Sequence, residues 1–411
     1  MTEHTSSHMG ALDPGARIAA VRPVLLSAPY ADPENLEVRV ALPTGWRTTG
    51  LVEVTLDDGT TGLGEGYLAV FAPHVFVSTV ELLVPHLVGR PAGDLAERYR
   101  DMVLVTGYWS LQGAARHVVS AVEAALLDAL GKRAGVPAYE LLGGRRTDRI
   151  RLYASGGDSA SPSAMSTEIA AVASLGIDTF KIRARGHEAD KVVWTLEHAA
   201  PHGVGVAVDM AQNLDEPGQS AADALAFLDA VGAGTPQPVR FLEEPLGPAR
   251  AHEYPALRRA AGCPVAGGET VTTARELLER VAAGYYDMVQ PDATVVGGPR
   301  QTLAVFAGAA EHGVAPVVHC WGSAVCQAAN YHAAFVGGRL AEWPLPAYAL
   351  RSELLVEPFR IESGRLLAPR APGLGVRLTP ETERRFAFRG DAVYRCPTRM
   401  PAAEPGRWRT D

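Results

Sequence analysis

Five short apolar runs in this 411-residue chain carry an ionisable side chain at or near their ends, and those ends recur at a nearly regular interval. Thr179–Arg183 (TFKIR) holds Lys181 and Arg183, Gly205–Asp209 (GVAVD) ends on Asp209, and Arg240–Pro245 (RFLEEP) holds Glu243. Pro264–Glu269 (PVAGGE) ends on Glu269 and Pro316–His319 (PVVH) on His319. From Lys181 through Asp209, Glu243, Glu269, Asp292 and His319, the successive steps are 28, 34, 26, 23 and 27 residues. One strand, one helix and two loops consume about that many residues in a (β/α)₈ barrel of ~250 residues. The C-terminal strand ends of such a barrel open onto one cavity, so six groups remote in sequence are expected to converge.

The rest of the chain fits that frame. Residues 17–65 alternate apolar and polar, with Asp57-Asp58-Gly59 marking a hairpin turn. Residues 76–143 are patterned as helices, and His117–Lys132 is broken by Gly135-Val136-Pro137. Together, residues 17–143 are expected to form an α+β capping domain. From Ile150, apolar runs alternate with helical segments at 164–175, 188–199, 220–231, 252–261, 273–283, 300–312 and 323–336. That alternation predicts a parallel sheet covered by helices, an α/β class chain. Seven strand–helix units are clear and an eighth is poorly marked, so residues 144–348 are assigned to a TIM-type barrel of seven to eight units. Residues 349–411 are expected to return to the capping domain.

Composition excludes other classes. A net charge of −8 and a pI near 5.9 oppose nucleic-acid or anionic-membrane binding. No apolar run reaches the ~18 residues that span a bilayer. Residues 1–16 lack a signal-peptide core and are left out of the fold reading. Cys263, Cys320, Cys326 and Cys396 show no metal-ligand spacing, which fits reduced thiols and a cytoplasmic location.

Asp209, Glu243 and Glu269 offer hard oxygen donors, which suit one Mg²⁺ better than Zn²⁺. Alone, each would read as a solvated loop acid or helix cap. Side chains alternate along a strand, so Glu243 shares the inward face with Phe241 and Glu244 does not. His319 with Asp292 makes a general base that can return its proton as an acid. Lys181 and Arg183 share a face. Arginine stays protonated, whereas Lys181 becomes a base only if its ordinary pKa of ~10.4 is depressed. Glu342, if protonated, could donate to a substrate carboxylate. Trp46, Arg47, His74, Tyr108 and Trp109 in capping loops, with Trp321 in the barrel, are candidates for reading substrate hydroxyls; ordinary packing competes for each.

These residues resemble the enolase superfamily, in its mandelate racemase/muconate lactonizing enzyme-like branch. The likeness rests on GLGE (Gly62–Glu65), GKRAGVPAYELLGG (Gly131–Gly144), KIR (Lys181–Arg183), VDMAQ (Val208–Gln212), FLEEP (Phe241–Pro245), GGET (Gly267–Thr270), QPDATVVGG (Gln290–Gly298), HCWGS (His319–Ser323), AEW (Ala341–Trp343) and PGLGV (Pro372–Val376). The resemblance implies abstraction of the proton α to a carboxylate, giving an enediolate stabilised by Mg²⁺, chemistry for which this superfamily is a standard example. It also implies a small anionic substrate (an acid sugar, its lactone, or a hydroxy or imino acid) and a homo-oligomer, dimer or octamer. Two departures stand out. Arg183 replaces the second lysine of the family's K-x-K strand, which disfavours two-base racemisation and favours β-elimination or cycloisomerisation. Ala211 stands where the family often has asparagine. A racemase or epimerase using Lys181 and His319, and a catalytically silent metal-binding scaffold, are the competing readings.

Overall fold

The computed structural model describes residues 13, 15–31, 41–159, 161–212, 218–395 and 408. The capping domain is an antiparallel sheet of β1 (Ile18–Ala31), β2 (Trp46–Leu56) and β3 (Thr61–Glu65), with the expected turn at Gly59, whose φ is 87°. Helices Pro73–Leu87, Leu95–Gly107 and Ala114–Ala134 pack with it. The last of these is buried along most of its length and ends on Gly135 in the left-handed region, just before Pro137.

The second part of the chain is a closed barrel of eight parallel strands: β4 (Arg149–Gly156), β5 (Thr179–Arg183), β6 (Gly205–Asp209), β7 (Leu242–Glu243), β8 (Val265–Gly267), β9 (Met288–Val289), β10 (Ala315–Val318) and β11 (Leu340–Pro344). Closure is made by β11 on β4, with Glu342 opposite Tyr153. Seven helices follow seven strands close to the positions that the periodicity predicts, the first spanning Pro162–Ser174 and the last Ala324–Gly337. Among the described residues, no barrel helix follows β11. The chain turns instead into β12 (Ala347–Tyr348), which pairs with β1 at Tyr30, and a helical turn at Leu350–Glu353. This is why the eighth unit is faint in the sequence: the residues immediately after β11 serve the cap.

The tail has two destinations. Ser27 N donates to Phe386 O and Tyr394 N to Val70 O, both in the cap. The hairpin of β13 (Ile361–Glu362) and β14 (Arg365–Leu367) pairs instead with β4, in the barrel. Cys396 lies outside the described residues. Inside the barrel, Tyr153, Ala207, Phe241, Ala266 and Val317 form a separate apolar layer. Among the described residues, no helix is long and apolar enough to cross a membrane.

Glycines let β3 lie directly on helix Ala114–Ala134. A Cβ at Gly64 would sit 1.8 Å from the Ala121 carbonyl oxygen, and one at Gly62 would sit 2.1 Å from that of Ala125. Both obstacles are backbone, so neither can swing aside. Gly64→Ala should therefore destabilise the protein by at least about 1–3 kcal/mol, read from urea unfolding; an unchanged midpoint would contradict this packing.

Candidate active site

The barrel brings the three acids together. Asp209 closes β6, Glu243 closes β7, and Glu269 lies two residues beyond β8. One carboxylate oxygen from each comes within 4.8 Å of the others. Glu244 turns the other way with φ 42°, and its carboxylate accepts from Gly268 N at 2.6 Å and Tyr254 Oη at 3.1 Å. The alternation argument thus places Glu243 in the cluster and Glu244 behind the barrel wall. Burial, compounded by the neighbouring acids and only partly opposed by cations, pushes Glu243 up to about 8 and Glu269 up to about 7. A cluster of hard oxygen donors that holds protons this tightly is short of positive charge. That fits a divalent cation of the Mg²⁺ kind.

Lys181 Nζ contacts Glu243 Oε1, lies 2.9 Å from Glu342 Oε1 in a charge contact poorly angled for a hydrogen bond, and is 3.8 Å from Asp209. Burial alone would lower its pKa, but Glu243 and Glu342 raise it well above the usual lysine value. The acids by themselves therefore favour the protonated lysine. Glu342 differs from expectation too. Burial raises its pKa, but Lys181 and His319 outweigh this and hold it below the ordinary carboxylate range. It acts as an acceptor, taking the Cys320 N–H at 2.6 Å, and is not poised as a protonated donor.

Arg183 lies 3.5 Å from Asp158 and 4.0 Å from Asp209, with its guanidinium 5.8 Å from the Trp321 ring centroid. His319 follows β10 directly. Its Nδ1 is 2.8 Å from Asp292 Oδ2, and its Nε2 faces Glu269 at 3.3 Å. Asp292 Oδ1 accepts from Thr294 N at 2.7 Å, Thr294 Oγ1 at 2.7 Å and Asn330 Nδ2 at 3.0 Å. Burial would raise Asp292, but the His319 contact and these donors hold it below its usual range. Burial would lower His319, yet Glu269, Glu342 and Asp292 hold it well above the usual imidazole value.

The capping-loop candidates divide. Arg47 is buried and donates Nη2 to Trp321 O at 2.8 Å, which puts it against the segment that begins at His319. The hydrogen bonds and ring contacts of Trp46, His74, Tyr108 and Trp109 lie elsewhere. Trp46 sits under Arg389, His74 meets Phe388 edge-on, Tyr108 is fully exposed, and Trp109 lines a surface groove with His74 and Leu82. Loop membership did not give side-chain direction; Trp46 and Arg47 are neighbours on a strand and so point to opposite faces.

Sequence reasoning missed Gln290 and Tyr153. Gln290 Nε2 donates to Glu243 Oε2 at 2.5 Å and to Tyr153 Oη at 3.3 Å, and the Tyr153 ring lies 5.5 Å from Lys181 Nζ. The available signal was the two-residue spacing of Gln290 from Asp292. Ala211, at the departure from the family pattern, holds φ 47° and donates its N–H to Asp209 Oδ1 at 2.7 Å. A left-handed alanine costs roughly 1–2 kcal/mol, so strain is stored beside a cluster acid.

Family models match most of the chain. The mandelate racemase / muconate lactonizing enzyme N-terminal domain matches residues 36–143, and the enolase C-terminal domain-like family matches residues 164–382. A D-galactonate dehydratase from Xanthomonas euvesicatoria pv. vesicatoria is 30% identical over 355 residues, covering 81% of this chain and 90% of that protein. A D-gluconate dehydratase from Thermoproteus tenax is 25% identical over 372 residues, covering 87% and 72%. The 3,6-anhydro-D-galactonate cycloisomerase from Zobellia galactanivorans superposes with a TM-score of 0.77 over 90% of this chain and 99% of its own. At 23% identity that last likeness speaks to fold alone.

Ligation needs deprotonated acids, so metal competes with protons. With Glu269 near 7 and Glu243 near 8, Mg²⁺ affinity measured by calorimetry should climb as pH rises through that range; a flat profile would contradict the cluster's electrostatics. Glu243→Gln should weaken binding by at least about tenfold, while Glu244→Gln leaves it near the parent value; the opposite ranking would exchange their roles.

Proposed function

The chain belongs to the mandelate racemase/muconate lactonizing enzyme branch of the enolase superfamily and is a lyase or isomerase, and from that premise we propose that it dehydrates an acid sugar. The observation that carries this reading is the placement of His319, the one of the three cationic side chains whose ordinary pKa lies near neutrality. Lys181 is held protonated between Glu243 and Glu342, and Arg183 cannot release its proton. His319 has one ring nitrogen on Asp292 and the other facing the acids.

In this reading His319, which the acids alone would keep protonated, is neutral once a bound divalent cation would offset their charge, and its Nε2 takes the proton from the carbon next to the substrate carboxylate. Asp292, bonded to Nδ1, fixes the tautomer and stabilises the imidazolium that forms. The same imidazolium returns its proton to the departing β-hydroxyl, so the substrate loses H from Cα and OH from Cβ as water. The resulting enol tautomerises to a 2-keto-3-deoxy acid. Lys181 and Arg183 supply fixed positive charge where negative charge develops on the carboxylate. A divalent cation held by Asp209, Glu243 and Glu269 would add Lewis-acid charge at the same place. The D-galactonate and D-gluconate dehydratases to which the chain is similar support an aldonate-like substrate.

A panel of acid sugars incubated with Mg²⁺ in D₂O tests this. A 2-keto-3-deoxy product is expected. Deuterium at an inverted Cα without loss of water would replace dehydration by epimerisation, a ring-opened or ring-closed isomer would indicate cycloisomerisation, and no exchange with any acid would favour a silent scaffold. His319→Asn should lower turnover by about 10²–10⁴-fold with metal binding intact; full activity in that variant would remove His319 as the base.

A further inference from the structure

We propose that Glu65 and Arg47 of the capping domain are positioning residues for His319, holding the backbone of the segment that carries it. This rests on the reading of His319 as the proton-moving group. Residues 320–323 lead from β10 into helix Ala324–Gly337, and such a junction leaves backbone groups that neither element satisfies. Charged side chains meet them in turn. Cys320 N donates to Glu342 at 2.6 Å, Trp321 O accepts from Arg47 at 2.8 Å, and Gly322 O accepts from Arg351 Nε at 3.0 Å. Ser323 N donates to both Glu65 oxygens at 3.2 and 3.1 Å, Ser323 Oγ donates to Glu65 Oε2 at 2.5 Å, and Cys326 N reaches the same oxygen at 3.1 Å.

Glu65 therefore receives Ser323 N and Cys326 N from another domain, beside the helix's own cap, in which Ser323 Oγ accepts from Val325 N at 3.1 Å. The fit has no slack, since a Cβ on Gly322 would lie 2.6 Å from Glu65 Oε1. Glu65 itself ends β3, which the side-chain-free Gly62 and Gly64 seat against helix Ala114–Ala134. Arg47 is fixed by the rings of Tyr30, Tyr67 and Tyr348, whose centroids lie 5.6, 5.7 and 5.3 Å from its guanidinium carbon. An almost fully buried carboxylate is costly unless fully hydrogen-bonded. What this one secures is the register of the segment that begins at His319. Docking of the cap and placement of the base are thus one event.

A base displaced by about 1 Å loses on the order of 10²-fold in rate. Glu65→Ala and Glu65→Gln in the full chain test the clamp. Backbone amide exchange is followed in the peptide spanning residues 319–326, together with Mn²⁺ affinity and with kcat and KM on whichever acid sugar the parent dehydrates. Glu65→Ala should speed exchange in that peptide by about tenfold or more and lower kcat by about 10- to 100-fold, with KM and Mn²⁺ affinity near parent values. Glu65→Gln, which keeps one acceptor oxygen, should fall between. Parent-like exchange and kcat in Glu65→Ala would overturn the clamp, as would a kcat loss matched by weakened Mn²⁺ binding. Should Glu65→Ala fail to fold, Glu65→Gln carries the same comparison. A parent that dehydrates no acid sugar would sink the functional reading alone, and the exchange data would still decide the clamp.

Discussion

Repulsion among Asp209, Glu243 and Glu269, whose oxygens approach within 4.8 Å, sets the terms for everything around them. Burial compounds it, because a charge that loses water has only its neighbours to stabilise it. The surrounding residues answer that need. Lys181 is pinned among Glu243, Glu342 and Asp209, Arg183 stands between Asp158 and Asp209, and His319 presents Nε2 to Glu269. The same field that gathers these cations fixes their protonation. A lysine beside two buried carboxylates grips an anion well and accepts a proton poorly. Negative charge concentrated at one rim thereby raises Lys181 and His319 alike.

A second layer keeps the first in place. Gln290 and Tyr153 brace Glu243 and Lys181 from within the barrel, while Thr294 and Asn330 brace Asp292. The cap reaches the same site through Glu65 and Arg47. The tail strengthens that attachment, since β12 extends the cap sheet immediately after the last barrel strand. Cap and barrel share buried charge as well as apolar surface, which ties docking of the cap to the placement of His319.

Much of this was legible in the sequence because it depends on short-range pattern. Apolar runs and helical periodicity located seven strand–helix units, and regular spacing put six ionisable groups on one rim. Alternation along a strand separated Glu243 from Glu244 by way of Phe241. Protonation was not legible: Lys181 and Glu342 lie far apart in sequence, and each is decided by the other. The capping-loop residues were harder still, for a loop's sequence says that it is exposed but not where a ring points. Trp46 and Tyr108 face away, while Arg47 faces in.

What the sequence determined by itself was the order of elements and the chemistry available at each strand end, since strand period, helix period and turn residues act over a few positions. What only the tertiary structure decided was which groups share a hydrogen bond across hundreds of residues. Glu65 and Ser323 are 258 positions apart, and nothing local in either neighbourhood announces the other. That pairing exists because a glycine-lined strand can lie against a helix and carry one carboxylate to the start of another. Packing geometry of that kind is a property of the folded whole.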